Sequence, residues 1–285
     1  MQYGLTFPNC GIWANPAQFG ELAALAEQSG WDGIFLEDYI VWQSNQDVPT
    51  YDPWIILAVI TLNTRRIRLG TTVTPLARRR PWKVARETVT LDQLSNGRLI
   101  LGVGLGDTGE SILPDISFTH FAEETRVARR AGMLDEALQV LTGLWSGEPF
   151  QFSGRYYHVD EVTFHPTPVQ QPRIPIWVGG GFPLSGPTQR AARWDGACLY
   201  RQDEQSMTAE DIRELKAIVA RQRGTLSGYD IVTGGNARRS DWEAEREHIR
   251  SLAEAGATWW TEYLPADLGD INVIRQVIQR GPLHV

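Results

Sequence analysis

Residues 99–110 read LILGVGLGDTGE, and Gly104, Gly106 and Gly109 stand at G-x-G-x-x-G spacing directly after an apolar run. In the first β–α turn of a dinucleotide-binding unit, that spacing brings a helix N-terminus against a pyrophosphate. Such a unit also needs an acidic residue at the end of the next strand, about twenty residues on. The twenty residues from Ser111, SILPDISFTHFAEETRVARR, hold no strand pattern. The dinucleotide reading therefore loses its support. Glycine after a strand instead lets a flat ligand or a phosphate approach the backbone, and Asp107 becomes a candidate for proton transfer.

Other residues at apolar-run ends extend the set. They are Phe7 at the end of YGLTF, Glu37, Asp38, Tyr39 and Trp42 after GIFL, and Thr71, Thr72 and Val73 at the end of IRLGTTV. Gly179, Gly180 and Gly181 follow IPIWV, and Glu262 lies near the end of TWWTEY. Glycine backbone N–H groups beside a helix start suit a phosphate. The five histidines, 120, 158, 165, 248 and 284, lie too far apart to form a ligand pair, so no metal site is expected. Lysine occurs only at Lys83 and Lys216, both in helical patterns, and G-x-S-x-G is missing. With little covalent or metal chemistry in the side chains, a cofactor that carries the reaction itself is indicated, and a flavin fits.

The elements that position these residues alternate along the whole chain. Strand patterns occur at Tyr3–Phe7, Gly33–Leu36, Ile67–Val73, Arg98–Val103, Ile174–Val178, Gly196–Tyr200, Tyr229–Thr233 and Thr258–Tyr263. Helical patterns follow them, with Asn15-Pro16, Asp52-Pro53 and Pro81 as starts and Gly30 and Asn96-Gly97 as stops. A weak repeat (AEQSGWDGIFLE, AARWDGACLY, AEAGATWWTEYL) marks βα units. Eight such units in 285 residues predict the α/β class: a single (β/α)8 TIM barrel over 1–285. An excursion at 146–172, with PFQFSGRYYHV as a hairpin around Ser153-Gly154, is inserted after the fourth helix. Barrel active sites lie at the C-terminal ends of the strands, where the candidate residues fall. Trp259 and Trp260 alternate along one strand, so at most one faces the barrel interior.

Composition limits the partners. The formal charge is −7, with 27 Lys+Arg against 34 Asp+Glu, which disfavours nucleic acid. Two cysteines, Cys10 and Cys198, fit a reduced compartment, and no secretory or membrane-spanning segment is evident, so a cytoplasmic protein is expected. A small-molecule substrate, a separate flavin reductase and a homodimer are the associations considered.

At this point the chain resembles the bacterial luciferase-like family of flavin-dependent oxidoreductases. The resemblance rests on ELAALAEQSGWDGIFLED, IRLGTTVTPLARRRPWKVARETVTLDQLSNGRLILGVGLGD, HPTPVQQPRIPIWVGGG and GATWWTEYLP. It implies FMN or deazaflavin F420 at the barrel mouth and Thr72-Val73 bulging behind the ring through a non-prolyl cis peptide. It further implies Gly104–Asp107 beside the ring and Gly179–Gly181 near the phosphate. Two departures stand out: Asp38-Tyr39 replaces the Asp-His of many deazaflavin members, and Leu105 replaces the Arg of luciferase itself. GVGLGD is closer to the deazaflavin pattern and tilts the cofactor that way. Asp107 or Glu37 would exchange the proton, Tyr39 would assist, and Trp13, Trp42, Tyr39 and the hairpin aromatics would wall the site. A non-catalytic flavin-binding protein and a metal-dependent barrel hydrolase are the competing readings.

Overall fold

The computed structural model describes residues 1–11, 15–42, 47–107, 115–201, 203 and 205–285. Trp13 and Gly109 lie outside them. The barrel strands are β1 (Gln2–Phe7), β2 (Gly33–Leu36), β3 (Arg68–Thr71), β5 (Leu99–Gly104), β8 (Ile176–Phe182), β9 (Gly196–Arg201), β10 (Asp230–Asn236) and β11 (Trp259–Tyr263). A two-residue strand, β4 (Thr74–Pro75), continues the β3 edge along β5. The parallel sheet runs β3-β2-β1-β11-β10-β9-β8-β5, and a β3–β5 pairing closes it into a barrel.

Helices α1 (Pro16–Gln28), α2 (Pro53–Asn63), α3 (Pro81–Ser95), α4 (Ser117–His120), α5 (Val127–Trp145), α6 (Ser185–Ala191), α7 (Ala209–Arg223), α8 (Trp242–Ala255) and α9 (Ile271–Gln279) form the outer layer. The start signals act as read. The Asn15 side chain accepts from the Ala17 and Gln18 amides, and the Asp52 carboxylate accepts from Trp54 and Ile55, each before a proline at the first helical position. Asn96 caps α3 in the left-handed region at φ 53°.

Two strands extend further than the sequence patterns suggested. Gly179–Gly181 lie inside β8, paired with Cys198–Tyr200 of β9, rather than in a loop after the strand. This corrects their expected position in a turn after the strand, and the ladder to β9 engages part of their backbone. Helix α6 begins at Ser185, three residues past the end of β8. Gly234 and Gly235 likewise belong to a strand, in a β10 register shift opposite β11.

Alternation along the strands divides the core in two. Phe35, Ile100, Trp177, Val232 and Trp259 form a small buried cluster inside the barrel. Trp260, Tyr3, Leu5 and Phe7 join the larger layer between strands and helices. The expected split of Trp259 and Trp260 is thus observed. Beta strands β6 (Phe150–Ser153) and β7 (His158–Val162) pair antiparallel as the inserted hairpin after α5. Glu136 of α5 accepts the amides of Arg155, Tyr156 and Tyr157, fixing the hairpin tip to the helical layer.

Candidate active site

At the C-terminal end of the barrel, above Trp177 and Trp259, lies a cavity of about 390 Å³. Inward positions on successive strands line it: Thr6 on β1, Glu37 just past β2, Thr72 and Val73 past β3, Gly179 and Gly180 on β8. Cys198 to Tyr200, Val232 to Gly235, Thr261 and Tyr263 complete the wall. On β11 the period of two sets the selection, since Trp259, Thr261 and Tyr263 share one face and Glu262 points the other way.

Glu37 is the carboxyl that lines the cavity. Burial raises its pKa from the ordinary carboxylate range to about 7, opposed by a hydrogen bond that the Tyr263 hydroxyl donates to it at 3.3 Å. Burial and then the Glu37 charge push the Tyr263 phenol upward. Cys10, fully buried, is also raised, by burial first and by Glu37 second. Cys198, in the cavity wall, is pushed up to about 12 by burial. Both thiols are thus held as neutral SH groups.

The Thr72–Val73 peptide is cis, as the resemblance implied. Three glycines shape the surroundings of this bulge. A Cβ on Gly104 would lie 2.6 Å from Val73 Cγ2, and one on Gly179 would lie 2.7 Å from Val73 Cγ1. On Gly106, at φ +71°, a Cβ would meet Phe118 at 2.8 Å and Arg130 at 2.9 Å. The glycine pattern therefore makes room for protein side chains packed around the bulge. Of the expected glycines, Gly179 and Gly180 line the cavity, whereas Gly104, Gly106 and Gly181 stand beside or behind it.

Several expected residues are placed elsewhere. Phe7 faces the helices, with its ring 6.5 Å from Phe19, which corrects its assignment to the cofactor. Glu262 is 1% exposed and bound to Arg238 at 2.5 Å and Arg280 at 3.3 Å, a structural clasp rather than a pocket wall. Thr71 lies beneath the cavity, donating to the Gly102 carbonyl at 2.9 Å. Asp38 is buried, and its carboxylate accepts from Arg79 at 2.7 and 3.0 Å and from Arg78 at 3.3 Å. Arg78 also meets Asp115 at 2.6 Å, so the run Arg78-Arg79 ties the β2 and β3 loops to residue 115.

Tyr39 and Trp42 are half-buried on the loop after β2 and do not line the cavity. Asn9 fixes that loop by accepting from the Tyr39 amide and donating to the Tyr39 and Tyr51 carbonyls. Asp107 is exposed at the rim, near enough to Tyr200 for its charge to raise the phenol after burial. The hairpin aromatics pack on the helices, Tyr157 edge-on to Trp82 at 6.4 Å, and do not line the cavity. Among the described residues no group of three or more His, Cys, Asp or Glu could hold a metal ion. No helix among them is long and apolar enough to cross a membrane.

Sequence reading missed Thr6, Cys198, Tyr200, Thr233, Gly234, Gly235 and Thr261 as cavity residues, and left Tyr263 without a role. Extending the two-residue period from Trp259 would have found Thr261 and Tyr263.

An eight-stranded parallel barrel with a half-buried carboxyl and a bulged third strand at its mouth defines a (β/α)8 barrel protein with a candidate site at the C-terminal ends of its strands. The chain belongs to the luciferase-like monooxygenase family, whose sequence pattern matches residues 3–266. It is similar to an F420-dependent glucose-6-phosphate dehydrogenase of Nakamurella multipartita, 32% identical over 60% of this chain and 48% of that protein. Similarity to the F420-dependent hydroxymycolic acid dehydrogenase of Mycobacterium tuberculosis is 30% over 83% of this chain and 61% of that protein. The chain thus spans about half to three fifths of these relatives' length. In fold it is similar to an F420-dependent secondary alcohol dehydrogenase solved with an F420-acetone adduct, with TM-score 0.78 at 18% identity, covering 99% of this chain and 98% of that one.

Proposed function

We propose that the chain is a flavin-dependent oxidoreductase acting on a small organic substrate, with deazaflavin F420 favoured over FMN, bound at the C-terminal mouth of the barrel. The observation that carries this reading is one cavity that joins the Thr72–Val73 bulge to a carboxyl poised near neutrality. The F420-dependent activities of the relatives and the GVGLGD stretch favour the deazaflavin.

The site fits such a group. Thr72 Oγ1 is buried in the cavity wall without a hydrogen-bond partner, a condition that native structures rarely tolerate without a ligand or water. Val73 and Val232 offer apolar surface, and Gly179 and Gly180 leave backbone open to approach. When bound, the group supplies or accepts a hydride, or delivers reducing equivalents to O2.

The protein's own contribution is to hold the substrate, exclude water and move one proton. Glu37 is the group for that proton: its pKa near 7 matches a donor or acceptor at neutral pH. Tyr263 holds the carboxyl in place through its hydroxyl. Asp107, at the rim beside Tyr200, is the alternative carrier for a substrate that sits higher in the mouth. A separate flavin reductase is a partner only if FMN is the cofactor.

Titration of the purified protein with FMN and with F420, followed by absorbance and fluorescence, tests the reading. Micromolar binding of one of them is expected and identifies the cofactor. Binding of neither overturns the proposal.

A further inference from the structure

The cavity is nearly free of fixed charge. Glu37 is the carboxyl in its wall, and no Lys, Arg or His stands among its lining residues. The surroundings do not make up for this. In a (β/α)8 barrel the mouth is built from strand ends and the connections that follow them, and here the arginines of those segments are engaged by carboxylates. Arg78 bonds Asp38 and Asp115, and Arg79 bonds Asp38 at 2.7 Å. Arg126 meets Glu124 at 2.8 Å, and Arg201, the last residue of β9, meets Asp203 at 2.6 Å and Asp211 at 3.1 Å. After β10, Arg238 is held by Glu262 at 2.5 Å and Arg239 by Glu245 at 3.3 Å.

Arg80 is the exception among the described residues. No carboxylate pairs with it, but it does not line the cavity, and its guanidinium lies 5.9 Å from the centre of the Trp82 ring at the start of α3. His120, exposed on α4, has a ring nitrogen 3.1 Å from the Ile116 carbonyl oxygen. The residues outside the description, 12–14, 43–46, 108–114, 202 and 204, contain no Lys, Arg or His, whereas Glu110 and Glu204 are among them. Whatever their conformation, they bring no cation to the mouth. Over the connections as a whole, acidic residues outnumber basic ones.

A phosphate or carboxylate that entered this cavity would give up water and meet no cation in return, a cost that pairing normally offsets. The acidic rim adds like-charge repulsion, strengthened by low-dielectric walls. Backbone N–H groups can hold one phosphate without a cation, and on the flavin reading the cofactor brings that phosphate itself. A second anionic group has no seat. Neutral groups are better served: Thr6, Thr233 and Thr261 supply hydroxyls and Tyr200 and Tyr263 phenols, each able to donate or accept. Val73, Leu199 and Val232 supply apolar surface beside them.

We propose that the site selects an uncharged substrate bearing hydroxyl or carbonyl groups and rejects phosphorylated and carboxylated ones. This rests on the flavin reading above and narrows it to a substrate class.

The test uses pairs of probes that differ by one charged group: glucose with glucose 6-phosphate, and cyclohexanol with 4-hydroxycyclohexanecarboxylate. Each is titrated into protein loaded with the cofactor chosen by the titration above, and the change in cofactor absorbance reads binding. In both pairs the neutral member is expected to bind at least tenfold more tightly. Tyr200→Lys places an ammonium at the exposed rim near Asp107, and is expected to narrow both gaps threefold or more with the neutral probes unchanged. Equal or tighter binding of the anionic members overturns the charge selection while the flavin reading stands. An unaltered gap in a Tyr200→Lys protein that still binds the neutral probes does the same, as does failure of both neutral probes to bind the loaded wild-type protein. A protein that takes up neither cofactor fails earlier, and then the flavin reading falls and the charge selection with it. The wild-type comparison requires no variant to fold, and neutral-probe binding reports whether Tyr200→Lys does.

Discussion

On the proposed function Glu37 is the residue that moves the proton, and its ionisation follows from its surroundings. A carboxyl on a loop normally titrates near 4.3. Here burial raises it to about 7, because the charged form loses water faster than the Tyr263 hydrogen bond compensates. The sign of the pH effect depends on direction. When substrate is oxidised, Glu37 must accept a proton, so kcat/KM rises as pH climbs through about 7; in the reductive direction it must donate one, and kcat/KM falls through the same range. Glu37→Gln is expected to lower the rate by about 10²–10⁴-fold, a typical general acid–base contribution, and to remove that limb of the pH–rate profile. A Gln variant with an unchanged limb would move the role to Asp107. Sequence reading named both carboxylates. It had no means of seeing that Glu37 enters the cavity and Asp107 stays at the rim, since burial depends on the fold of loops whose lengths follow no simple rule.

At the level of elements, the bulged third strand is held by glycines on its neighbour. Gly102 and Gly104 lie on β5 beside the end of β3, and a Cβ at Gly102 would sit 1.9 Å from the Thr71 carbonyl oxygen. Backbone cannot move aside as a flexible side chain can. Gly102→Ala is therefore expected to force β3 and β5 apart where the barrel closes, costing about 1–3 kcal/mol as overpacking usually does. Thermal denaturation measures the cost, and flavin titration should show weakened binding because Thr72–Val73 is displaced with the strand. Normal binding in a destabilised Gly102→Ala protein would mean that the bulge does not shape the site.

The same elements show how much was legible beforehand. Strand and helix order, the capped starts at Asn15 and Asp52, and the hairpin at Ser153-Gly154 all follow from local rules and were readable. The triglycine at 179–181 was not, because glycine signals a turn locally, yet here a tertiary ladder to β9 overrides it. The assignments of Phe7 and Glu262 failed for a different reason. Both lie at strand ends, as read, but one residue out of phase with the inward face: on the same strands it is Thr6, Thr261 and Tyr263 that reach the cavity.

For the molecule as a whole, the decisive division is between the small core inside the barrel and the large core outside it. Trp259 and Trp260 are consecutive and almost wholly buried, at 1% and 2% exposure, yet belong to different cores. Trp259 packs edge-on against Phe35 at 5.6 Å and Trp177 at 5.4 Å, forming the cavity floor with residues from β2, β5, β8 and β10. Trp260 lies under the helices, edge-on to His248 at 5.9 Å. Truncating either to alanine leaves a hole of similar size, so both variants are expected to lose about 3–5 kcal/mol. For a chain of this length that is a fall in Tm of roughly 10 °C. Function should separate them. With the floor collapsed, Trp259→Ala is expected to bind flavin at least tenfold more weakly even well below its Tm. Trp260→Ala should retain near wild-type affinity at the same temperature, because the strands still present Thr261 and Tyr263 inward. Equal loss of affinity in both variants would show that the site depends on barrel stability in general rather than on its interior layer.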